Sequence, residues 1–420
     1  MPTPKDHLST LIQQAPRSID LTDAEDLEQI RELAEALENS FPAASGLCAL
    51  EEEWVQTDQE IPLSMRLGLK LALSRKLLGE IPDPVHVSLV FAVYKEHNRI
   101  LKSEEHPHGE DFLRRKIRQL RWLFAPTPQH SWDLTVVDDG CPERSGQHAQ
   151  QILDEELASK EEACVLFLEE AIQNKLSITH PLTQTSESQK GGSIHLGLWH
   201  ATQTLRGQNH IGIFTDADLS THLGQIGLIV DPIVRNGYKA AIGSRREPAS
   251  VVIKAGARNT RGKLFIYLWK RLLPPLQGII DTQCGFKAFK ASDLKTWLKE
   301  CGEKKFAFDI EMLLRLQPGG SDSIQKVAIA WIDSEAASTT TDLEPYLPML
   351  QSAVRFYREL LPVDETSESF ARLIESLDES SFQHLLENIP EEIANREPAT
   401  FETFDEVSAE ELHRRATQEG

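Results

Sequence analysis

No run of about 18 apolar residues occurs anywhere in the chain, so nothing in it reads as a membrane-spanning helix. No basic-then-apolar leader with a small-residue cleavage site opens it. Cysteine is sparse: Cys48, Cys141, Cys164, Cys284 and Cys301 form neither a C-x-x-C pair nor a zinc-like set. That excludes a disulfide framework and a structural zinc site, and it fits a reducing cytoplasm. No G-x-G-x-x-G follows an apolar run, which argues against dehydrogenase chemistry. Internal repeats and low-complexity tracts are also missing.

Positive charge is short as well, with 44 Lys and Arg against 65 Asp and Glu and a formal net charge of -21. Such a balance argues against nucleic-acid binding, which needs clustered cations to displace counterions. One stretch departs from it. From Lys239 to Lys290 there are eleven Lys or Arg against Glu247 and Asp281, a local excess of +9.

What is present is an ordinary folded composition, 40% apolar and 26% charged over 420 residues. The length fits one large catalytic core with flanking segments. Residues 1–81 read as a helical extension, an appended bundle: Thr22 and Glu25 make a capping-box pattern, and Leu27, Ile30, Leu33, Ala34 and Leu37 recur on one face. The stretch from Met65 to Leu78 could lie on an acidic membrane or pack on the core, and packing is the expectation. After Pro82-Asp83-Pro84 the texture changes. Val85 to Val93 is a buried-strand run, with further strands at Leu134 to Val137, Ile211 to Phe214, Ala240 to Ile242 and Val327 to Trp331. Helix-like stretches between them predict βαβ units over residues 82–362. Residues 363–420 hold sixteen acids against four Arg, with Pro390 and Pro398, and read as short helices and a mobile acidic tail.

In sheets of this kind ligands sit at the carboxyl ends of strands. Asp138-Asp139-Gly140 and Gly243-Ser244-Arg245 follow such ends, and each alone reads as a turn. Asp216-Ala217-Asp218 is different, because carboxylates at i and i+2 repel unless a cation or donors lie between them. Oxygen ligands alone favour Mg2+ or Mn2+. An ion there would neutralise the diphosphate of a nucleotide sugar.

Seven strings in order carry a family resemblance: Tyr94-x-Glu96-x-x-Arg99-Ile100, Val136 to Gly140, Lys190-Gly191-Gly192, Asp216 to Ser220, Gly243-Ser244-Arg245, Asp281 to Lys287, and Phe308 to Glu311. Together, over residues 85–360, they resemble family 2 glycosyltransferases of the GT-A fold, a Rossmann-like, mainly parallel α/β sheet. Within these the chain is most similar to the dolichyl-phosphate glucosyltransferase and polyprenyl-phosphate sugar synthase branch. The resemblance implies that Val93, Tyr94, Glu96, Asp138 and Asp139 hold the base and ribose of the donor, with Lys190 and Asp216 also on the donor. It implies that Asp218, with Asp216 beside it, binds the metal, and that Asp281, Gln283, Asp309 and Glu311 surround the transferred sugar and acceptor. It further implies inversion at the anomeric carbon. UDP-glucose is the first choice of donor and GDP-mannose the second.

The basic stretch suits a phosphorylated acceptor, with Arg245, Arg246, Arg258, Arg261 and Lys263 as its ligands. A polyprenyl phosphate is the first choice and a small phospho-metabolite or sugar hydroxyl the second. Arg261 to Leu276, with Leu264, Phe265, Tyr267, Leu268 and Trp269, could dip into lipid headgroups or form a core helix, and the sequence leaves both open. Departures from the family pattern are Lys95, His97, a long loop from Phe167 to Gln189, and Asp333-Ser334-Glu335 where some relatives have a metal-binding histidine. A rival reading is a non-catalytic nucleotide-sugar sensor on the same fold. A sugar-phosphate nucleotidyltransferase lacks its Gly-rich basic loop at the first strand.

Overall fold

The computed structural model describes residues 4–157, 163–253, 259–316, 323–333, 346–403 and 406–417. Four helices open the chain, α1 (Pro4–Gln14), α2 (Ala24–Ser40), α3 (Ala44–Gln56) and α4 (Leu63–Gly79). The sheet region follows: β1 (Val85–Val93), α5 (Phe112–Phe124), β2 (Ser131–Asp138), α6 (Ser145–Glu156), β3 (Ala163–Phe167), α7 (Leu168–Gln173), α8 (Gly191–Gln203) and β4 (Asn209–Thr215). It continues with α9 (Ile226–Asn236), β5 (Ala240–Ser244), β6 (Val251–Ile253), α10 (Asn259–Leu272), β7 (Phe286–Lys290), α11 (Ala291–Trp297), α12 (Phe308–Arg315), β8 (Ile324–Ala328) and β9 (Ala330–Ile332). Five helices close the chain: α13 (Tyr346–Leu360), α14 (Glu365–Ser376), α15 (Glu379–Glu387), α16 (Glu391–Ala394) and α17 (Ala409–Thr417).

Seven strands form one mixed sheet in the order β3-β2-β1-β4-β7-β5-β8. All neighbours are parallel except β7, which runs antiparallel to β4 and β5. The sequence reading missed β7, whose Phe286-Lys287-Ala288-Phe289-Lys290 lies inside the densest motif string. Val327 to Trp331, expected as one strand, is two: β8 ends at Ala328, and β9 leaves to pair with β6 in a separate two-stranded ribbon.

Successive strand residues face opposite sides, and both sides are buried. Leu89, Phe91, Val136 and Ile213 pack into one apolar cluster with residues of α2, α4, α5 and α9. Val90, Val137, Phe214 and Phe289 pack into the other with α8, α10, α13 and α14. The amino-terminal helices are therefore not an appended bundle, because α4 shares a core with the sheet and is buried on all sides. Even Lys70 of α4 is inside, paired with Glu51 at 2.7 Å and donating to the Ala328 carbonyl at 2.8 Å. The capping residue also differs from expectation. Asp23 caps α2 by accepting from the Glu25 and Asp26 amides, while the Thr22 hydroxyl donates to Asp20 at 2.7 Å.

The acidic carboxy-terminal segment is likewise not a mobile tail over its described residues. Its short helices bury Phe370, Ile374, Leu385, Ile393, Phe401 and Leu412 against α10. That settles the alternative left open for α10. Leu264, Tyr267, Leu268 and Trp269 are fully buried, and Tyr267 donates to the Val407 carbonyl at 2.6 Å between the rings of Phe370 and Phe401. The face that could have met lipid is covered by the chain's own end. No described helix is long and apolar enough to cross a membrane.

Candidate active site

The carboxyl end of β4, the middle strand of the sheet, delivers Asp216 and Asp218 into one cleft. The Asp216 amide donates to the Gly285 carbonyl at 3.1 Å, which ties the turn after β4 to the start of β7. Asp216 also forms an ion pair with Lys190. Burial pushes its carboxyl up, but the Lys190 ammonium outweighs this and holds it below the usual value. Lys190 reaches it from an uncommon backbone conformation, φ 75°, just before α8. Its amide donates to Asp139 at 2.9 Å, which fixes that strained residue in place. Asp218 Oδ1 accepts from the Ser220 amide at 3.1 Å and hydroxyl at 2.5 Å, while Oδ2 makes no hydrogen bond among the described residues.

Below the pair sits a residue that the sequence reading overlooked. Lys116 of α5 is fully buried, its ammonium has no hydrogen-bond partner among the described residues, and it lies 5.6 Å from the Phe91 ring. Burial pushes its pKa down to about 8 against the pull of Asp218 and Asp216. A signal did exist: Lys116 falls on the apolar stripe of Phe112, Leu113, Ile117 and Leu120, where a lysine has no reason to be unless charge waits inside. Beside it, Arg99 binds Glu96 at 3.0 Å and Glu110 at 3.0 Å. Burial pushes the Glu96 carboxyl up to about 7; Arg99 opposes this and Asp218 adds to it.

The other expected residues divide into those facing the cleft and those consumed in holding it. Asp309 accepts from Gln283 at 2.8 Å and from Lys287 at 3.1 Å; burial raises its pKa, and Lys287 and then Lys190 oppose the rise. Asp281 is gripped by Arg245 through three hydrogen bonds of 2.7 to 2.8 Å. Burial pushes its carboxyl up, yet the guanidinium wins and holds it low. Glu311 points elsewhere, accepting from the Gly302 amide at 3.1 Å, the Glu303 amide at 2.7 Å and Arg315 at 2.9 Å. Asp138 accepts from the Gly140, Cys141 and Gly146 amides. Asp139 accepts from the Ser188 and Ser193 hydroxyls and the Lys190 amide. These two carboxylates, expected on the donor's base, spend most of their accepting capacity clamping loops.

The basic set does not converge either. Arg245 is committed to Asp281 and stacks 5.3 Å from the Trp331 ring. Lys263 is buried, donating to the Ala394 carbonyl at 3.0 Å with Glu397 at 3.6 Å. Arg246 and Arg261 are exposed, and Arg258 lies outside the described residues. Val93 is buried at the strand end and Tyr94 is exposed beside it.

No family model matches the chain. Among curated proteins it is 26% identical over 282 residues to a dolichyl-phosphate beta-glucosyltransferase of Trichomonas vaginalis, covering 65% of this chain and 74% of that one. It is 25% identical over 263 residues to the dolichyl-phosphate beta-glucosyltransferase of Saccharomyces cerevisiae, covering 59% of this chain and 67% of that one. The chain is a glycosyltransferase resembling the dolichyl-phosphate glucosyltransferase branch of family 2. The glycosyltransferase AglD of Haloferax volcanii is 23% identical over 236 residues, which span 56% of this chain and 31% of AglD. Among solved structures, glucosyl-3-phosphoglycerate synthase from Mycobacterium tuberculosis aligns with a TM-score of 0.42 and 14% identity, over 70% of this glycosyltransferase and 85% of that chain.

Proposed function

We propose that this glycosyltransferase moves a hexose, glucose from UDP-glucose first and mannose from GDP-mannose second, onto a phosphorylated acceptor with inversion at the anomeric carbon. The observation that carries the acceptor class is the occupancy of the carboxylates. Asp281 is saturated by Arg245, and Glu311 is turned onto backbone amides and Arg315. A hydroxyl acceptor needs a base to take its proton, whereas a phosphate oxygen arrives already ionised. Of the three carboxylates expected around the sugar and acceptor, Asp309 is the one left, and it is held by Lys287 and Gln283.

Asp216 and Asp218 offer hard oxygen donors suited to Mg2+ or Mn2+, and the free Asp218 Oδ2 fits that use. Among the described residues no group of three potential ligands gathers, so the donor diphosphate and water would complete the shell. The ion supplies charge neutralisation on the leaving nucleoside diphosphate. The chain's own residues do the rest. Lys190 can exchange Asp216 for a diphosphate oxygen, Gln283 and Asp309 orient the sugar hydroxyls, and Val93 to Glu96 flank the base. The exposed guanidinium of Arg246, next in sequence to the Asp281-bound Arg245, holds the acceptor phosphate. Its oxygen forms a bond to C1 as the C1–O bond to the diphosphate breaks, and the negative charge passes to the leaving nucleotide.

A polyprenyl phosphate is the acceptor suggested by the relatives' names, met at the periphery of a membrane. A second reading, a soluble phosphate ester, is favoured by the covered apolar face of α10. The five cysteines are all unpaired, which supports a reducing, cytoplasmic setting. The test offers the purified chain UDP- and GDP-sugars with Mg2+ or Mn2+, and either a short polyprenyl phosphate or a small phosphate ester, and weighs products by mass spectrometry. Glycosyl phosphate diester is expected, lost in Asp218→Ala. Transfer only to unphosphorylated hydroxyls refutes the acceptor class, undiminished activity in Asp218→Ala refutes the metal assignment, and donor binding without transfer favours the sensor.

A further inference from the structure

On the face of the sheet that carries α2, α4 and α5, a cavity of about 280 Å³ opens between these helices, outside the catalytic cleft. Leu27 of α2, Leu71 of α4 and Trp122 of α5 supply apolar walls, and Arg115, Gln119 and His222 supply the polar surface.

The lining holds three arginines, Arg31, Arg115 and Arg118, against the single carboxylate Glu28. Of the four arginines on α5, Arg114 binds Asp111, Glu155 and Glu156, Arg118 binds Asp111 at 2.9 Å, and Arg121 lies 3.9 Å from Glu156. The Arg115 guanidinium makes no ion pair or hydrogen bond among the described residues, its buried Nε is left without a partner, and Asp111, Asp23 and Asp20 act on it only through their charge. An unpaired, half-buried guanidinium costs more than a surface one, because water no longer replaces the missing acceptors. Gln119 is buried and turns its oxygen to the Leu223 amide at 2.9 Å, which leaves its NH2 as a donor. His222 Nδ1 accepts from the Gly224 amide at 3.0 Å, so the neutral ring carries its proton on Nε2. Burial and Lys116 push the His222 pKa down to about 3, which keeps it neutral. Glu28 and Arg31 at the rim pair with each other, and Arg118 keeps its bond to Asp111.

We propose that this cavity is a second ligand site, for a small organic anion whose carboxylate or phosphate meets Arg115, Gln119 and His222 while its apolar part lies on Leu27, Leu71 and Trp122. The volume lies just below the usual range of small-molecule pockets, which suits a ligand of few heavy atoms. Its lining shares no residue with the donor and acceptor subsites, so its occupancy does not depend on the transferase reading.

Calorimetric titration of the full chain with phenyl phosphate tests the proposal, with inorganic phosphate as the comparator that lacks an apolar part. Saturable one-to-one binding in the millimolar range or tighter is expected, as a ligand of this size allows. Arg115→Gln should weaken it about tenfold or more by removing a charge-assisted contact. Ala24→Phe, a bulky group at the exposed rim, should block it even where Arg115→Gln proves unstable. Arg246→Ala, which removes the acceptor-phosphate contact, and saturating UDP-glucose should leave it unchanged. Absence of saturable binding overturns the proposal, as does binding kept in both cavity variants, and binding lost in Arg246→Ala would put the anion at the acceptor subsite instead.

Discussion

Gly285 is the residue on which the position of Asp216 depends. A Cβ at residue 285 would stand 2.3 Å from Asp216 Oδ2 and 2.4 Å from its Cγ and Oδ1. Non-bonded carbon atoms rest at about 3.5 Å, so in Gly285→Ala the carboxylate has to retreat by about 1 Å. It cannot do so alone, since Lys190 holds its oxygen and the Gly285 carbonyl holds its amide at 3.1 Å. Misplacement on that scale costs about 10²-fold in turnover, equivalent to ~2.7 kcal/mol of transition-state stabilisation. The crowding itself should cost ~1–3 kcal/mol of stability, leaving a folded protein. The assay is the initial rate of UDP release from UDP-glucose at saturating acceptor, read beside a thermal melt. Gly278→Ala is the control, because a Cβ there meets nothing within 4 Å. A Gly285→Ala rate within about threefold of the parent, with an unchanged melt, would refute the placement of Asp216 at the reacting diphosphate.

Arg245→Met should destabilise the protein by about 3–5 kcal/mol in urea denaturation, because it strands Asp281 buried without its counter-charge. Arg246→Ala should leave the same curve unchanged and raise the acceptor KM instead. Glu96 carries a folded-state pKa of about 7 against an ordinary 4.5, so the folded chain keeps a proton that the unfolded chain releases. Its contribution is present below pH 4.5 and is lost as pH rises through 7; Glu96→Gln should therefore gain relative stability across that window, by at most ~3 kcal/mol, in denaturant midpoints at pH 5 and pH 8. Tyr267→Phe leaves the Val407 carbonyl unmet and should cost about 1–3 kcal/mol without changing turnover, measured by melting and by the same UDP-release assay.

The strands β1, β2, β4 and β5 were legible because strands buried on both faces read as continuous apolar runs, and the carboxylates after β4 stood out against them. β7 was hidden because Lys287 and Lys290 interrupt its run, and Lys287 is tolerable there because its ammonium meets the Cys284 carbonyl and Asp309, a carboxylate 22 residues away. Glu311 misled for a geometric reason. Residues two apart on a helix do not face each other, so when Asp309 turns to the cleft Glu311 must turn from it. Arg245 and Lys263 misled because a cation in sequence carries no sign of whether its partner is a substrate or a carboxylate of the same chain. The covering of α10 depended on apolar positions more than 90 residues downstream, diluted among sixteen acids.

The two outer layers come from opposite ends of the polypeptide, with α2 to α4 on one face of the sheet and α13 to α17 on the other. During synthesis α2 to α4 emerge before the strands they cover, whereas α13 to α17 emerge only after β9, when the whole sheet is already made. Until residues beyond 400 emerge, Tyr267 has neither the Phe401 ring nor the Val407 carbonyl, and the apolar side of α10 stays uncovered. The half-made protein thus carries a sticky face that the finished one lacks. Its window for aggregation, or for chaperone capture, closes only once α14 to α17 have emerged.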